Sequence, residues 1–377
     1  MLKKKISGLL TPLLGLWLLM LPGICIQRTQ GQEPKTYPLW DGHESVAQYA
    51  RESGLVTDLI FDLGNSVTMR LVLIPAGKFM MGTARPEQPR ERVIVWQAVC
   101  IMSLCAFLVL ALPYVYAFAR KKRRLQISLA IFFLLSLTLA IGLMGIVRWQ
   151  MADVAWRNYG LAYARFELAN SDEKPHWVTH TKPFYMGSLT VTQLQYQQII
   201  GDNLSRFNDN DNPVESVSWN DAQDFCRLVS KKIQMPVRLP TEAEWEYACR
   251  AGTKGKYYSG DDESSLARVA WYAGNSNSTY PVGTKQPNAF GLFDMHGNVW
   301  QWCQDWYAAG YYSKSPEQDP KGPPAGHERI MRGGSWEDYA SLCRSAYRYR
   351  RHPEYLGTNA GFRIFIPLEE LEEITER

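Results

Sequence analysis

The residues of this chain that could act in catalysis or bind a metal are scattered along the sequence. Few of them have the spacing that a catalytic or metal site requires. The six histidines form no evident ligand triad: His43, His176, His180, His296, His327 and His352. Two of them, His176 and His180, lie four residues apart. Pro175 and the strand-like run after it disfavour one shared helical face, so we predict that both histidines are surface residues.

A second group of polar residues follows a Gly-Gly pair near the C-terminus. Asp338 stands there with three arginines, Arg344, Arg348 and Arg350. A carboxylate among guanidinium groups could form a reactive polar site, or the same residues could form structural salt bridges. The Gly-Gly pair predicts a turn, since the sequence has neither a phosphate-binding loop nor a nucleophile elbow.

Three capping signatures predict the helices that would position these groups. Thr192 begins a T-x-x-Q box, and its helix is predicted to end at Gly201. Ser218 is predicted to cap a second helix, which has one apolar face. Thr241 begins a T-x-x-E box, so Glu244 is predicted to cap a third helix and not to act as a catalytic acid.

The composition excludes several classes of protein. The 13 Trp, 20 Tyr and 14 Phe provide enough apolar surface for a core, which excludes disorder for most of the chain. Seven cysteines in 377 residues are too few for a disulfide miniprotein. The net charge is +4, but five positive charges form the single run 120–124. No basic face is left for nucleic acid, so we expect no nucleic-acid partner.

Three apolar stretches indicate a membrane protein. Residues 1–26 have a basic start and a Leu-rich run, which is typical of a signal peptide or an N-terminal anchor. Residues 93–118 and 125–147 carry no formal charge, and each is long enough for a transmembrane helix. The basic loop between them, 119–124, is predicted to stay cytoplasmic.

This topology places the rest of the chain on the extracytoplasmic side of the membrane. A hairpin that enters and returns leaves both flanking regions on one side. The predicted segments are a signal peptide or anchor at 1–26, a polar linker at 27–58, a first domain part at 59–92, transmembrane helices at 93–118 and 125–147 around the loop 119–124, a juxtamembrane helix at 148–174, the main domain part at 175–367 and an acidic tail at 368–377.

Seven short motifs follow one another along the two domain parts. They are LIPAGKFMMG (73–82), KPFYMG (182–187), VSWNDA (217–222), RLPTEAEWEYA (238–248), GLFDMHGNVWQW (291–302), RGGSW (332–336) and GFR (361–363). In this order they resemble the formylglycine-generating enzyme (sulfatase-modifying factor) domain family. The motif positions expected to be structural are Arg238, Thr241, Glu244, Trp245, Asn298, Trp300, Trp302, Gly333, Gly334, Trp336 and Arg363.

The resemblance implies an α+β fold: an irregular, loop-rich domain related to C-type lectins, to which this chain adds two transmembrane helices. The membrane hairpin would interrupt the domain between its first strand and Phe184. Such an insertion requires the chain to return to the point where it left, and the same-side topology allows that return.

The resemblance also implies a chemistry that this sequence retains only in part. Family enzymes oxidise a substrate cysteine to formylglycine with copper held by two thiolates, which lie five residues apart after a Gly-Gly-Ser element. The same offsets fall here on Asp338 and Cys343, beside Ser335. A carboxylate is a hard ligand and suits Cu(I) poorly. We therefore expect no copper cofactor.

A different alignment of the same segment gives Cys343 another role. With Arg348 matched to a family arginine, Cys343 lies near a structural cysteine of the family and could pair with Cys249. Thiols outside the cytoplasm tend to be oxidised. We predict a Cys249–Cys343 disulfide in preference to a lone metal ligand, and Cys226 and Cys303 are candidates for a second bridge.

The family's calcium site is implied at the motif Gly-Asn-x-Trp-Glu-Trp. The matching ligands are the carbonyls of His296, Gly297 and Val299 and the side chain of Gln301, which replaces a glutamate. Calcium affinity falls as ligand charge falls, so a weakened calcium site is expected. The alternative is that Gln301 hydrogen-bonds its own loop.

These observations predict a membrane-anchored, extracytoplasmic domain that acts as a binding or scaffold module without copper-dependent oxidation. Its expected partners are the membrane and an exported sulfatase, another extracytoplasmic protein or a glycan. The alternative is an active oxidase that makes formylglycine on exported sulfatases. Aromatic side chains that could line a binding groove are Trp271, Tyr272, Trp306, Tyr307, Tyr311 and Tyr312.

Overall fold

The computed structural model describes residues 36–86, 101–103, 105, 125–169 and 172–368, without the side chains of 125–135, 160 and 162–169. The chain divides into two compact units, 1–37 and 38–377, and every element below belongs to the second. Several predicted segments lie outside the described residues: 1–26, 119–124, most of 93–118 and all of the tail after residue 368.

The predicted polar linker contains a helix that packs on the domain. Helix α1 is Val46–Ser53, capped by Ser45 and ended by Gly54 in the left-handed conformation. Tyr49 on this helix is fully buried, and its hydroxyl accepts a hydrogen bond from the Ala76 N–H at 3.2 Å. The prediction of a linker over 27–58 is therefore wrong for this part, because one buried aromatic residue anchors an otherwise polar segment.

The first sheet has four antiparallel strands in the order β1–β2–β5–β10. These strands are β1 (Asp58–Asp62), β2 (Thr68–Ile74), β5 (Phe184–Gly187) and β10 (Phe365–Pro367). The central strands β2 and β5 are almost wholly buried, as expected for strands that are covered on both faces. This sheet joins the two domain parts, since β2 precedes the insertion and β5 follows it.

A two-stranded sheet closes the insertion. Strand β3 (Gly77–Met81) pairs antiparallel with β4 (His176–His180), and Met81 lies opposite His176. Just beyond β3, the Thr83 N–H donates to the carbonyl of Glu173 at 3.0 Å. The chain thus leaves and re-enters the domain at one point, as the insertion requires. The histidine prediction is wrong for His180, which is only 3% exposed.

The third sheet and the helices form the main domain part. Its strands are β6 (Trp300–Trp306), β7 (Arg329–Arg332), β8 (Tyr349–Arg351) and β9 (Ala360–Gly361), in the order β8–β7–β6–β9 with β9 parallel to β6. The helices of this part are α3 (Gln193–Ile200), α4 (Trp219–Ile233), α5 (Glu242–Arg250) and α6 (Glu263–Val269). The fold is thus a mixed arrangement of helices and sheets.

The structure confirms the predicted starts of three of these helices: the capping boxes at Thr192 and Thr241 and the cap at Ser218, which also forms a capping box. Thr192, Ser218 and Thr241 each accept a hydrogen bond from the third residue of their helix, whose side chain in turn accepts one from the cap N–H. Helix α3 ends at Gly201, as predicted. The carboxylate of Glu244 therefore caps α5.

Helix α2 (Leu125–Ala169) belongs to the insertion and is one uninterrupted helix of 45 residues. It contains the predicted transmembrane segment 125–147 and most of the predicted juxtamembrane helix 148–174 without a break. Within the described residues, one stretch, Ser136–Tyr159, is long and apolar enough to cross a membrane. The predicted pair of transmembrane helices is not confirmed.

Candidate functional site

The segment after β7 turns at two glycines and brings three predicted site residues together. Gly333 and Gly334 have φ values of +100° and +77°, which favour glycine. A Cβ atom at Gly334 would lie 2.4 Å from the Cys343 sulfur, so only glycine leaves room for that thiol. The Ser335 hydroxyl donates a hydrogen bond to Asp338 Oδ2. Ser335, Asp338 and Cys343 therefore form one cluster.

Asp338 is half-buried beneath an aromatic rim. Burial raises its pKa, and the hydrogen bond from the Ser335 hydroxyl opposes that shift. The ring of Trp300 stacks on Tyr349 with 4.6 Å between centroids and lies 6.0 Å from the ring of Tyr347. The carboxylate thus faces a surface made largely of aromatic rings.

The Cys343 thiol is enclosed and stays protonated near neutral pH. Its side chain is fully buried. Burial raises its pKa well above the usual range, and the nearby Asp338 carboxylate raises it further. The backbone groups of Gly297 and Ser335 oppose this shift only in part. A buried thiol of this kind is a poor nucleophile and a poor metal ligand.

The residues present do not fit a copper ion. One donor is the hard carboxylate of Asp338, which already accepts the Ser335 hydroxyl, and the other is the protonated thiol of Cys343. Across the described part of the chain, no group of three or more His, Cys, Asp or Glu side chains is placed to hold a metal ion. No step of a copper mechanism can be derived from this donor set.

The predicted Cys249–Cys343 disulfide is not confirmed, because both thiols are free. The Cys249 sulfur lies 3.7 Å from Ser345 Oγ and 3.8 Å from His296 Nε2. Ser345, two residues after Cys343, therefore occupies the position next to Cys249 at which Cys343 was predicted. Cys343 packs in a separate core cluster. The candidates for a second bridge, Cys226 and Cys303, are also free and buried.

The Gln301 side chain is fully used by hydrogen bonds within the core. Its Oε1 accepts from Trp245 Nε1 and Arg363 Nε, both at 2.7 Å, and its Nε2 donates to the Asp294 carbonyl at 2.7 Å. Two donors occupy both lone pairs of that oxygen, and the guanidinium beside it would repel a cation. These residues do not fit calcium.

Without Gln301, the predicted calcium site keeps only backbone ligands. These are the carbonyls of His296, Gly297 and Val299, and three oxygens are fewer than the six to eight that calcium takes. The alternative expectation, that Gln301 hydrogen-bonds its own loop, agrees with the observed geometry.

A buried network of charged side chains packs against the Cys343 segment. Arg332 is fully buried and forms ion pairs with Glu246 and Glu242. Its guanidinium also donates to the carbonyls of Ser345, Ala346 and Tyr347. The two opposite charges and the hydrogen bonds of both terminal nitrogens of Arg332 make this burial tolerable. Arg332 therefore fixes the backbone that follows the thiol.

Two of the predicted arginines fasten the same segment to the insertion. Arg344 donates to both Glu173 oxygens, at 2.7 and 2.9 Å, and to Thr83 Oγ1 at 2.9 Å. Arg348 pairs with Glu242 at 2.7 and 2.9 Å and with Asp172 at 3.1 Å. The salt-bridged alternative is thus the one found. We call Thr83, Asp172, Glu173, Arg344 and Arg348 the root clamp.

Sequence reasoning missed part of this arrangement, although a signal was present. The run Tyr347-Arg348-Tyr349 alternates as a strand does, so its rings and its guanidinium point to opposite faces. The rings lie beside Asp338, and Arg348 reaches the buried Glu242. Nothing in the sequence identified Asp172 and Glu173 as its neighbours, because they follow the long insertion.

The aromatic residues predicted to line a groove do not gather in one place. Trp271 stacks on Tyr280 at 4.0 Å, with the Lys285 ammonium 3.9 Å from its ring. Tyr272 and Tyr312 are each 4% exposed and belong to separate core clusters. Two others contact arginines: Trp306 and Tyr307. The aromatic rim near Asp338 consists of different residues.

The motif residues other than Ser335 and Asp338 serve structural roles. Arg238 pairs with both oxygens of Glu244 at 2.8 Å, and Trp302 Nε1 donates to the Val217 carbonyl at 3.0 Å. Asn298 exchanges two hydrogen bonds with the backbone of Tyr280. These bonds hold long loops that have few backbone ladders.

Asp305 makes the stability of this core depend on pH. Burial and the Glu242 carboxylate raise the pKa of Asp305 to about 8, so the folded state keeps a proton that the unfolded state loses near pH 4. The stabilising contribution is complete below pH 4 and is lost as the pH rises toward 8. In an Asp305→Asn variant, we expect this part of the decline in unfolding free energy to disappear. Denaturant unfolding at pH 5, 7 and 8.5 measures the difference.

Comparison with known proteins identifies the family. Residues 158–367 match the sulfatase-modifying factor enzyme 1-like domain family, which is more than half of the chain. This chain belongs to that family. The formylglycine-generating enzyme of Streptomyces coelicolor is 41% identical over 167 residues, which are 40% of this chain and 51% of that enzyme. The chain thus spans about half the length of this relative.

Two further comparisons give another similar sequence and a similar solved structure. The chaperone protein LppX of Paenibacillus barcinonensis is 29% identical over 232 residues, which are 48% of this chain and 79% of that protein. The solved structure of Treponema denticola variable protein 1 has 24% identity and a TM-score of 0.57 over 83% of this chain and 99% of that one. The structural likeness shows a shared fold.

Proposed function

We propose that this chain is a membrane-anchored, extracytoplasmic binding module of the sulfatase-modifying factor family that does not oxidise cysteine to formylglycine. The proposal rests mainly on one observation: Asp338 and the enclosed thiol of Cys343 stand at the two positions where the family has its copper ligands. They replace the two thiolates that Cu(I) requires with one hard ligand and one protonated thiol. The fold is kept, while the donor set for the family chemistry is incomplete.

The insertion supports the membrane part of the proposal. Along Ser136–Tyr159 several large apolar side chains are exposed, including Leu139, Leu143 and Met144. A soluble protein seldom leaves such a surface open to water. A Cβ atom at Gly142 would lie 3.5 Å from the Ser103 side chain, and small residues at such contacts are common between the helices of membrane proteins. The basic run 120–124 supports a location of the domain outside the cytoplasm, because such loops stay on the cytoplasmic side.

The rim around Asp338 is the surface that we assign to the partner. Tyr339, next to Asp338, is 77% exposed, and Leu356 is 60% exposed. The loop that carries Leu356 is bound to the same segment, because Trp336 Nε1 donates to the Thr358 carbonyl at 3.1 Å. Exposed apolar groups beside one carboxylate suit an extracytoplasmic polypeptide, such as a segment of an exported sulfatase.

Cu(I) titration of the full-length protein in detergent tests the non-oxidising character. We compare the wild type with Cys343→Ser, which removes the thiol of the Asp338 cluster, and with Cys226→Ser, which removes a buried thiol on α4, as the control. Because Cys343 is enclosed, we expect the same copper stoichiometry and affinity in all three proteins. One equivalent of tightly bound Cu(I) that disappears only in Cys343→Ser would favour the active oxidase instead.

A further inference from the structure

Helix α2 has one apolar face that the described part of the chain leaves uncovered. Five large side chains on this face are each more than half exposed: Met144, Val147, Met151, Val154 and Leu161. The reverse face is packed, since Ala152 is 3% exposed and Gly142 lies close to the Ser103 side chain. The helix is therefore covered along one side and open along the other.

The exposed residues of this side repeat with the period of a coiled coil. They are the five above together with Asn158, and we call these six residues the open face. Their positions are 144, 147, 151, 154, 158 and 161, so the steps alternate between three and four residues. A helix with this repeat keeps one stripe turned toward a single partner helix.

Asn158 supports the coiled-coil interpretation. In heptad notation, Met144, Met151 and Asn158 occupy a positions, and the other three residues occupy d positions. A single asparagine at an a position specifies the register and the number of strands of a coiled coil, because its amide is best paired with the same amide of the partner helix. On a face that met only lipid, that amide would be costly.

The residues beside the open face are compatible with a second copy of the helix. In a parallel coiled coil, each g position of one helix lies beside the following e position of the other. These positions bring Leu143 beside Arg148 and Gln150 beside Ala155. No like charges meet in these pairs, and the hydrocarbon stem of an arginine can cover a leucine.

A bilayer is too thin to cover the whole open face. At 1.5 Å per residue, the 45 residues of α2 are about 67 Å long, whereas the hydrocarbon core of a bilayer is about 30 Å thick. The uncharged stretch predicted to cross it ends at Val147, and charged residues follow from Arg148 onward. Val154 and Leu161 then lie beyond the core, where large exposed apolar side chains indicate a protein partner.

We propose that a second copy of this chain covers the open face, so that two α2 helices form a parallel coiled coil over Met144–Leu161. The same face of both copies takes part, as in most protein dimers. The parallel direction rests on the proposed membrane anchoring, because two copies inserted alike in one membrane point the same way. The pairing of the open faces does not depend on the Asp338 cluster or its ligand.

Disulfide cross-linking at neighbouring residues of the full-length protein tests this interface. Met151→Cys places a thiol on the open face, and Gln150→Cys places one beside it at nearly the same depth. A disulfide needs Cα atoms about 4.4–6.8 Å apart, which paired a positions allow, whereas two g positions lie on opposite sides of the helix pair. In membranes treated with a mild oxidant, we expect at least tenfold more cross-linked dimer in Met151→Cys than in Gln150→Cys.

Two controls make this result specific for a second copy. The wild type has the same seven native cysteines as both variants and gives the background. Co-expression of two differently tagged copies shows whether the cross-linked product contains this chain twice. Equal cross-linking of both variants, or a product in which the two tags never occur together, would overturn the proposal.

Charges on the open face should separate the two copies. In Met151→Lys/Val154→Lys we expect at least tenfold weaker association of the purified protein in detergent, measured by size-exclusion chromatography with light scattering. Gln150→Lys adds a charge beside the open face and should leave the dimer intact. Thermal unfolding confirms that each variant is folded. A monomeric wild type, or a folded double variant that dimerises like the wild type, would contradict the interface.

Cell fractionation distinguishes failure of this interface from failure of the membrane proposal. Recovery of the protein in the soluble fraction would contradict the anchoring and with it the parallel direction, and the cross-link of Met151→Cys would then test the pairing in that fraction. Recovery with membranes, without more cross-linking in Met151→Cys than in Gln150→Cys, would contradict the pairing alone.

Discussion

Replacement of Arg332 by methionine is expected to lower the free energy of unfolding by about 3–5 kcal/mol, the usual loss when one partner of a buried ion pair is removed. Methionine is long enough to fill the space but brings no charge. Glu242 and Glu246, which are 2% and 0% exposed, would lose one counter-charge. The carbonyls of Ser345 and Tyr347 would also lose a donor.

Arg350→Met provides the matched control for this variant. Arg350 pairs with Glu328 at 3.0 Å, but the two side chains are 43% and 41% exposed. Exposed pairs contribute less than about 1 kcal/mol, so little change is expected. Urea unfolding of the full-length proteins, followed by tryptophan fluorescence, compares the two variants. Equal losses in both would show that the Arg332 network does not support the core.

Glu173→Gln, in the root clamp, is expected to lower the free energy of unfolding by about 3 kcal/mol and to loosen the Cys343 segment. Glu173 is 5% exposed and accepts both Arg344 hydrogen bonds. Arg344 follows Cys343 directly, so loss of its anchor frees the backbone beside the thiol. We expect Cys343 to react about tenfold faster with a maleimide, which peptide mass mapping can measure.

The surface pair Lys78–Glu317 is the control for the root clamp. Its side chains are 44% and 55% exposed, and it lies on the neighbouring sheet. Glu317→Gln should change neither stability nor labelling by a measurable amount. A double-mutant cycle of Glu173→Gln with Arg344→Met should give a coupling energy of about 2 kcal/mol. Additive effects, with unchanged labelling of Cys343, would contradict a clamp between insertion and site.

Local features of the fold followed from the sequence because they depend on neighbouring residues. The capping boxes at Thr192, Ser218 and Thr241 specify their helix starts through hydrogen bonds three residues apart. The return of the chain after the insertion followed from charge and topology, and the β3–β4 pair has that geometry. The nearness of Asp338 and Cys343 was implied by the resemblance to the family, whose two cysteines have the same offsets from the Gly-Gly turn.

Features that depend on tertiary contacts could not be predicted in the same way. A small change in register places Ser345 and not Cys343 against Cys249, and no local signal distinguishes the two. His180 is buried because Phe79 and Tyr247 pack against it, from elements that are distant in sequence. The hydrogen bonding of Gln301 depends on Trp245 and Arg363, which both donate to its side-chain oxygen.

The most direct test of the central claim is a peptide oxidation assay with the full-length protein, copper and oxygen. A cysteine peptide with a sulfatase modification sequence is incubated with the wild type and with Cys343→Ser, and its cysteine is followed by mass spectrometry. The account predicts that the cysteine is not converted to formylglycine by either protein. Conversion by the wild type that is lost in Cys343→Ser would contradict it and establish an active oxidase.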